Sequence, residues 1–206
     1  MKGIYSTGAW HPEAVQLYRS LSCYVDGSTA GAVAFGLELA PNASPDQRAA
    51  WVRRVIAELE GRFDAETIKN VRLGCYCDET ENPGKCTAGG YPCADRALFD
   101  KVRDWLRGQY LESSGLEDFA DRANSGNLGW YVRGGELYTK FFECECPMLE
   151  AVGELPTFTW CYCTAGYGKR LFEGVFGCPV EVEILHSIRQ GHDYCLMKVS
   201  LKGEKT

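Results

Sequence analysis

Apolar and polar positions along this chain follow a helical period in its first half and a two-residue period in its second. Between Ser44 and Phe63 the apolar residues Val52, Val55, Ile56, Leu59 and Phe63 recur at helical spacing, behind a capping Ser44 and a Pro45 suited to the first turn. That stretch predicts an amphipathic helix. Further helices are predicted at Asp64–Leu73, Ala94–Gln109 and Gly115–Asn124. Pro12–Val25 is compatible with a helix, whereas Gly27–Ala40 is small, apolar and weakly periodic, and no element is assigned to it. Residues 74–93 are rich in Gly, Pro and Asn and read as an irregular loop.

The period changes after the break at Ser125–Asn127. Leu128–Cys146 reads as a hairpin turning at Gly134 and Gly135. A connection from Pro147 to Pro156 leads into the apolar stretch Thr157–Cys163 and then a helix over 164–176. In that helix Tyr167, Leu171, Phe172, Val175 and Phe176 share a face, and Gly177 ends it. Val180, Val182 and Ile184 alternate with Glu181, Glu183 and Leu185, and Cys195, Met197, Val199 and Leu201 fall on one face of a last strand. The expectation is an α+β fold: a mostly helical region over 1–125 packed on a small, mostly antiparallel sheet within 126–206, together one compact domain.

With 206 residues, 45% of them apolar, the chain is long enough to bury a core without covalent staples. No apolar run approaches the roughly 20 residues that span a bilayer, and the first residues lack both a basic start and an apolar signal core. A cytoplasmic protein without a membrane partner is expected. The 22 basic against 28 acidic residues give a net charge of −6 with no basic block, which argues against a nucleic-acid partner. The sequence leaves the assembly open, a homodimer included.

Eleven cysteines change the picture. Without an export signal they point to metal or catalysis rather than to a disulfide framework, and an odd total cannot pair completely. Cys144 with Cys146, and Cys161 with Cys163, are two Cys-X-Cys doublets. On extended segments each doublet would present both thiols on one side, so two adjacent doublets would supply the four sulfurs at about 2.3 Å that zinc requires. The alternatives are a redox couple, an iron–sulfur cluster and a thiol-rich core. Cys75, Cys77, Cys86 and Cys93 form a candidate second site in the 74–93 loop. Cys195 is expected to face back toward Ser187 and so to reach the main site. Cys23 and Cys178 read as packed core thiols, and His186 and His192 as surface or hydrogen-bonded histidines. No nucleophile elbow, phosphate loop or dinucleotide fingerprint is present. A thiolate nucleophile served by one of those histidines is a further alternative.

From Trp160 to Leu201 the chain resembles the C-terminal half of the 4-vinyl reductase domain, a group that includes sensor domains of aromatic-responsive regulators. It is similar too to proteins near the L-2-amino-thiazoline-4-carboxylic acid hydrolase family, and for these relatives the likeness extends to Asn127–Cys146. Cys161, Gly166, Tyr167, Gly177, Pro179, Val180, Gly191 and Cys195 carry the resemblance. It implies a zinc ion held by one thiolate before the helix and two from the hairpin. Cys161 and Cys195 match such ligands, whereas Ser187 stands where the other hairpin cysteine would be, and Cys163, Cys144 and Cys146 are the sulfurs available to replace it. The reading is a zinc-binding domain that recognises a small apolar or aromatic molecule, with Trp130, Tyr131, Phe141, Phe142, Trp160 and Tyr167 as candidate pocket lining. The alternative implied by the relatives is a metal-assisted or thiol-dependent hydrolase of a small heterocyclic or amide substrate. Ligand count separates the two, because a hydrolytic zinc keeps an open position.

Overall fold

A computed structural model describes residues 10–76, 96–144 and 146–202. Its helices are α1 (Pro12–Leu21), α2 (Gly27–Phe35), α3 (Pro45–Arg62), α4 (Ala65–Leu73), α5 (Arg96–Leu111), α6 (Leu116–Ala123) and α7 (Tyr162–Phe176). The strands are β1 (Tyr131–Arg133), β2 (Glu136–Phe141), β3 (Val180–His186) and β4 (Cys195–Leu201). They form one antiparallel sheet in the order β1-β2-β4-β3. The fold is therefore α+β, with helices in the N-terminal part and strands in the C-terminal part.

Local chemistry sets these elements. Ser44 and Gln47 form a reciprocal capping box that starts α3, the Gln47 side chain accepting from the Ser44 amide at 2.8 Å. Asp26 and Asp64 cap α2 and α4 by accepting backbone amides. Gly134 and Gly135 both adopt positive φ, which a tight two-residue hairpin requires, and Arg133 faces Glu136 across the turn. Between β3 and β4 the register shifts at Ile184/His186, a bulge that resets the alternation and leaves Ser187 buried.

Apolar side chains gather in two clusters. One joins α1–α4 to the strap 147–160 through residues such as Leu17, Trp51, Leu59, Val71 and Trp160. The other lies between α5, α6, α7 and the inner sheet face, around Phe119, Trp130, Phe172, Val182 and Val199. Helix α7 belongs to the second cluster yet crosses α4 closely: a Cβ at Gly166 would lie 2.1 Å from the Leu73 carbonyl oxygen.

Two expectations about the doublets need correction. Cys161 has helical backbone angles and caps α7, whose first turn already contains Cys163. Residues two apart on a helix diverge, so this doublet does not present both sulfurs on one side. Strand β2 ends at Phe141, so Cys144 and Cys146 lie beyond the hairpin pairing. Cys23 is exposed rather than packed, whereas Cys178 is partly buried against the second cluster.

Candidate functional site

A cavity of about 170 Å³ opens where the two clusters meet, and Cys144, Cys146, Cys161, Cys163 and Cys195 all line it. Each thiol is set by a different local feature. Cys144 follows the end of β2, and its Sγ accepts from Arg189 Nε at 3.1 Å. Arg189 is itself fixed by donating Nη1 to the Val152 carbonyl at 2.8 Å, which ties the β3–β4 turn to the strap. Cys146 caps the short 3-10 turn Pro147–Leu149. Cys161 Sγ lies 3.4 Å from Ser187 Oγ, and Cys195 Sγ accepts from the Ile188 amide at 3.4 Å. Cys163 turns the other way and donates to the Trp160 carbonyl at 3.4 Å.

Burial dominates the proton affinity of Cys161 and Cys195. It pushes Cys161 up to about 12, with the neighbouring sulfurs of Cys163, Cys144 and Cys195 adding to the rise and Ser187 opposing it. Cys195 is raised by the same desolvation and by Cys144, against hydrogen bonds from Ile188 and Ser187. Among the described residues, no group of three or more His, Cys, Asp or Glu side chains stands arranged to hold a metal ion. The donor chemistry suits a soft cation, since sulfur predominates and two sulfurs already accept N–H groups. The side-chain placement does not form a coordination shell: gathering the sulfurs requires Cys161 and Cys163 to leave their present partners.

The rest of the wall is mostly apolar, with Phe141, Met148, Leu149, Trp160, Tyr167, Ile184 and Met197 supplying most of it. Deep in it sits Glu13, 1% exposed, paired with the equally buried Arg72 at 3.0 Å. Arg72 also donates to the Trp160 carbonyl at 3.2 Å and stacks its guanidinium 4.1 Å from that indole's centroid. Burial pulls the Arg72 pKa down, but Cys75, Glu13 and Cys163 more than offset it, and the net direction is up. Its Nε has no hydrogen-bond partner among the described residues.

Three of the aromatic candidates, Phe141, Trp160 and Tyr167, line this cavity. Trp130 does not; it packs between Phe119 and Phe172 at centroid distances of 6.4 and 5.5 Å, held by reciprocal hydrogen bonds with Asn124. Tyr131 is 38% exposed and stacks on Tyr138, and Phe142 is also exposed. His186 and His192 stack on each other at 4.4 Å. Cys75 is buried and donates to the Val71 carbonyl at 3.4 Å, while Cys77, Cys86 and Cys93 lie outside the described residues. The pattern had not singled out Glu13, Arg72, Glu143, Arg189 or the apolar wall from Met148, Leu149, Ile184 and Met197. A sign of the first two was present: each is a charge on an apolar helical stripe, Glu13 beside Leu17 and Arg72 four residues after Ile68.

A model of the family of unknown function DUF6144 matches residues 13–206. No curated protein matches the chain. Among solved structures it is similar to a trafficking protein particle complex subunit 3 from Naegleria fowleri, covalently bound to palmitic acid. The identity is 16% and the TM-score 0.40 over 77% of this chain and 93% of that one, too slight a likeness to carry an argument. No helix among the described residues is long and apolar enough to cross a membrane.

Proposed function

We propose, for a chain that belongs to the family of unknown function DUF6144, a small-molecule recognition domain whose cavity takes an apolar or aromatic ligand beside a zinc ion. The observation that carries this reading is convergence: five thiols from the segment after β2, the start of α7 and the start of β4 reach one cavity that also takes in Phe141, Trp160 and Tyr167. Single packed cysteines are common, but five around one void are not explained by filling space, because they leave it open. Cys144, Cys161 and Cys195, one from each of these segments, would hold the ion, with Cys146 or Cys163 able to complete it. A zinc bound there would cross-link the β3–β4 hairpin to α7, and with three sulfurs would keep one position facing the cavity. Arg189 and the Ile188 amide orient two of the sulfurs through N–H···S bonds, the part played by groups behind metal ligands. The reading sets the protein in the cytoplasm, where thiols stay reduced.

The experiment is elemental analysis of freshly purified protein beside Cys161→Ser/Cys195→Ser and a control, Cys23→Ser. About one zinc per chain, lost in the double variant and kept in the control, is expected. Less than about half an equivalent of any transition metal, or a metal content unchanged in the double variant, would overturn it. Colourless protein speaks against an iron–sulfur cluster. Sulfur coordination numbers from X-ray absorption then separate recognition from the hydrolase alternative, since four thiolates leave no place for a reacting water.

A further inference from the structure

We infer that the cavity selects a small organic cation: a single ring, or a hydrocarbon of similar size, carrying an ammonium or amidinium group. This rests on the reading of the cavity as a small-molecule site and deepens it.

Size comes first. An apolar void of about 150 Å³ accommodates benzene, so one of about 170 Å³ suits one ring with a short substituent. The polar part of the lining sets the sign. Among the described residues it holds two carboxylates, Glu13 and Glu143, five thiols, and the hydroxyls of Thr164 and Ser187, but no Lys, Arg or His. A carboxylate only accepts hydrogen bonds when ionised, and a hydroxyl turns to suit its partner. The wall therefore asks its guest for N–H or O–H donors.

Glu13 is the strongest of these groups. It is buried in the wall and paired with Arg72, which lies 3.0 Å away and fixes the carboxylate in position. Glu143 stands exposed, where it can draw a cation inward. The rings of Phe141, Trp160 and Tyr167 complete the wall, and a ring face turned to the guest would add to the preference for a cation.

The test is calorimetric titration of the purified protein at neutral pH with three probes of one shape: benzylamine, benzyl alcohol and benzoate. Benzylamine should bind at least about tenfold more tightly than benzyl alcohol, with benzoate weakest. Glu143→Gln should narrow the gap, and Glu13→Gln/Arg72→Met should nearly abolish it; the double change avoids stranding a buried arginine without its partner. Should the double variant fail to fold, Glu143→Gln and the three-probe ranking still decide. Benzyl alcohol or benzoate binding as tightly as benzylamine, or a gap unchanged in each folded variant, would overturn the inference while leaving the small-molecule cavity standing. If none of the three binds, the cavity reading falls with it.

Discussion

Replacing Gly166 by Ala tests the packing that holds the site together. A Cβ built there would lie 2.1 Å from the Leu73 carbonyl oxygen, 2.9 Å from its carbonyl carbon and 3.1 Å from its Cα. All three are backbone atoms of α4's last residue, so no side chain can swing aside; the two helices must separate by about 1 Å to restore van der Waals contact. Overpacking of this kind costs about 1–3 kcal/mol, and contact with backbone puts Gly166→Ala near the upper end. Against that, Ala is favoured over Gly inside a helix by about 1 kcal/mol. The net expectation is a loss of about 2 kcal/mol, which for a chain of this length lowers Tm by about 4–8 °C. Thermal unfolding followed by circular dichroism would measure it, beside Gly108→Ala in α5, where nothing lies within 4 Å of the added carbon. That control should gain stability from its propensity alone. Gly166→Ala at or above the wild-type Tm would refute the argument, because α4 and α7 would then not be in backbone contact. The consequence reaches the cavity, since Arg72 neighbours Leu73 and Cys163 lies one turn before Gly166.

Two further outcomes follow from charges. Arg72→Met should cost about 3–5 kcal/mol in urea unfolding by leaving Glu13 buried and unpaired, whereas Arg72→Met/Glu13→Leu should recover most of that loss; equal losses would show that the pair is not coupled. Asp64 has its pKa lowered, first by the Thr67 amide and then by its hydroxyl. A carboxylate lowered in the folded state contributes above its unfolded value, near 3.8, and the contribution disappears as pH falls through the folded value. Asp64→Ala should therefore be less stable than wild type at neutral pH and match it in stronger acid, and a difference that persists there would rule out the charged cap.

How much of this could be read in advance differs by element. Helix α3 was legible because its cap, its Pro45 and its apolar stripe all agree. Helix α2 was not, since Gly27–Phe35 is small and apolar on all sides and shows no stripe; its sign was Asp26, whose side chain accepts from Ser28 and Thr29. The start of α7 was misplaced because Trp160, Tyr162 and the flanking cysteines favour extended chain, and no capping side chain marks Cys161. The gathering of Cys144, Cys146, Cys161, Cys163 and Cys195 was foreseeable from their crowding, although the extended geometry invoked for it was not the one found. The Glu13–Arg72 pair spans 59 residues, and no local pattern joins two such distant charges. Trp130 and Tyr131 show a different limit. Composition marks an aromatic ring as useful, yet a hydrogen bond to Asn124 draws one into the core and pairing with Tyr138 leaves the other on the outer sheet face.

The void draws Leu149 and Trp160 from the α1–α4 cluster and Ile184 and Met197 from the sheet side. Whatever fills it acts as mortar between two halves that already meet where α7 crosses α4. Amide protons as far apart as those of Val55 and Val199 would then slow their exchange in step on saturation, and the occupant would be felt throughout the molecule.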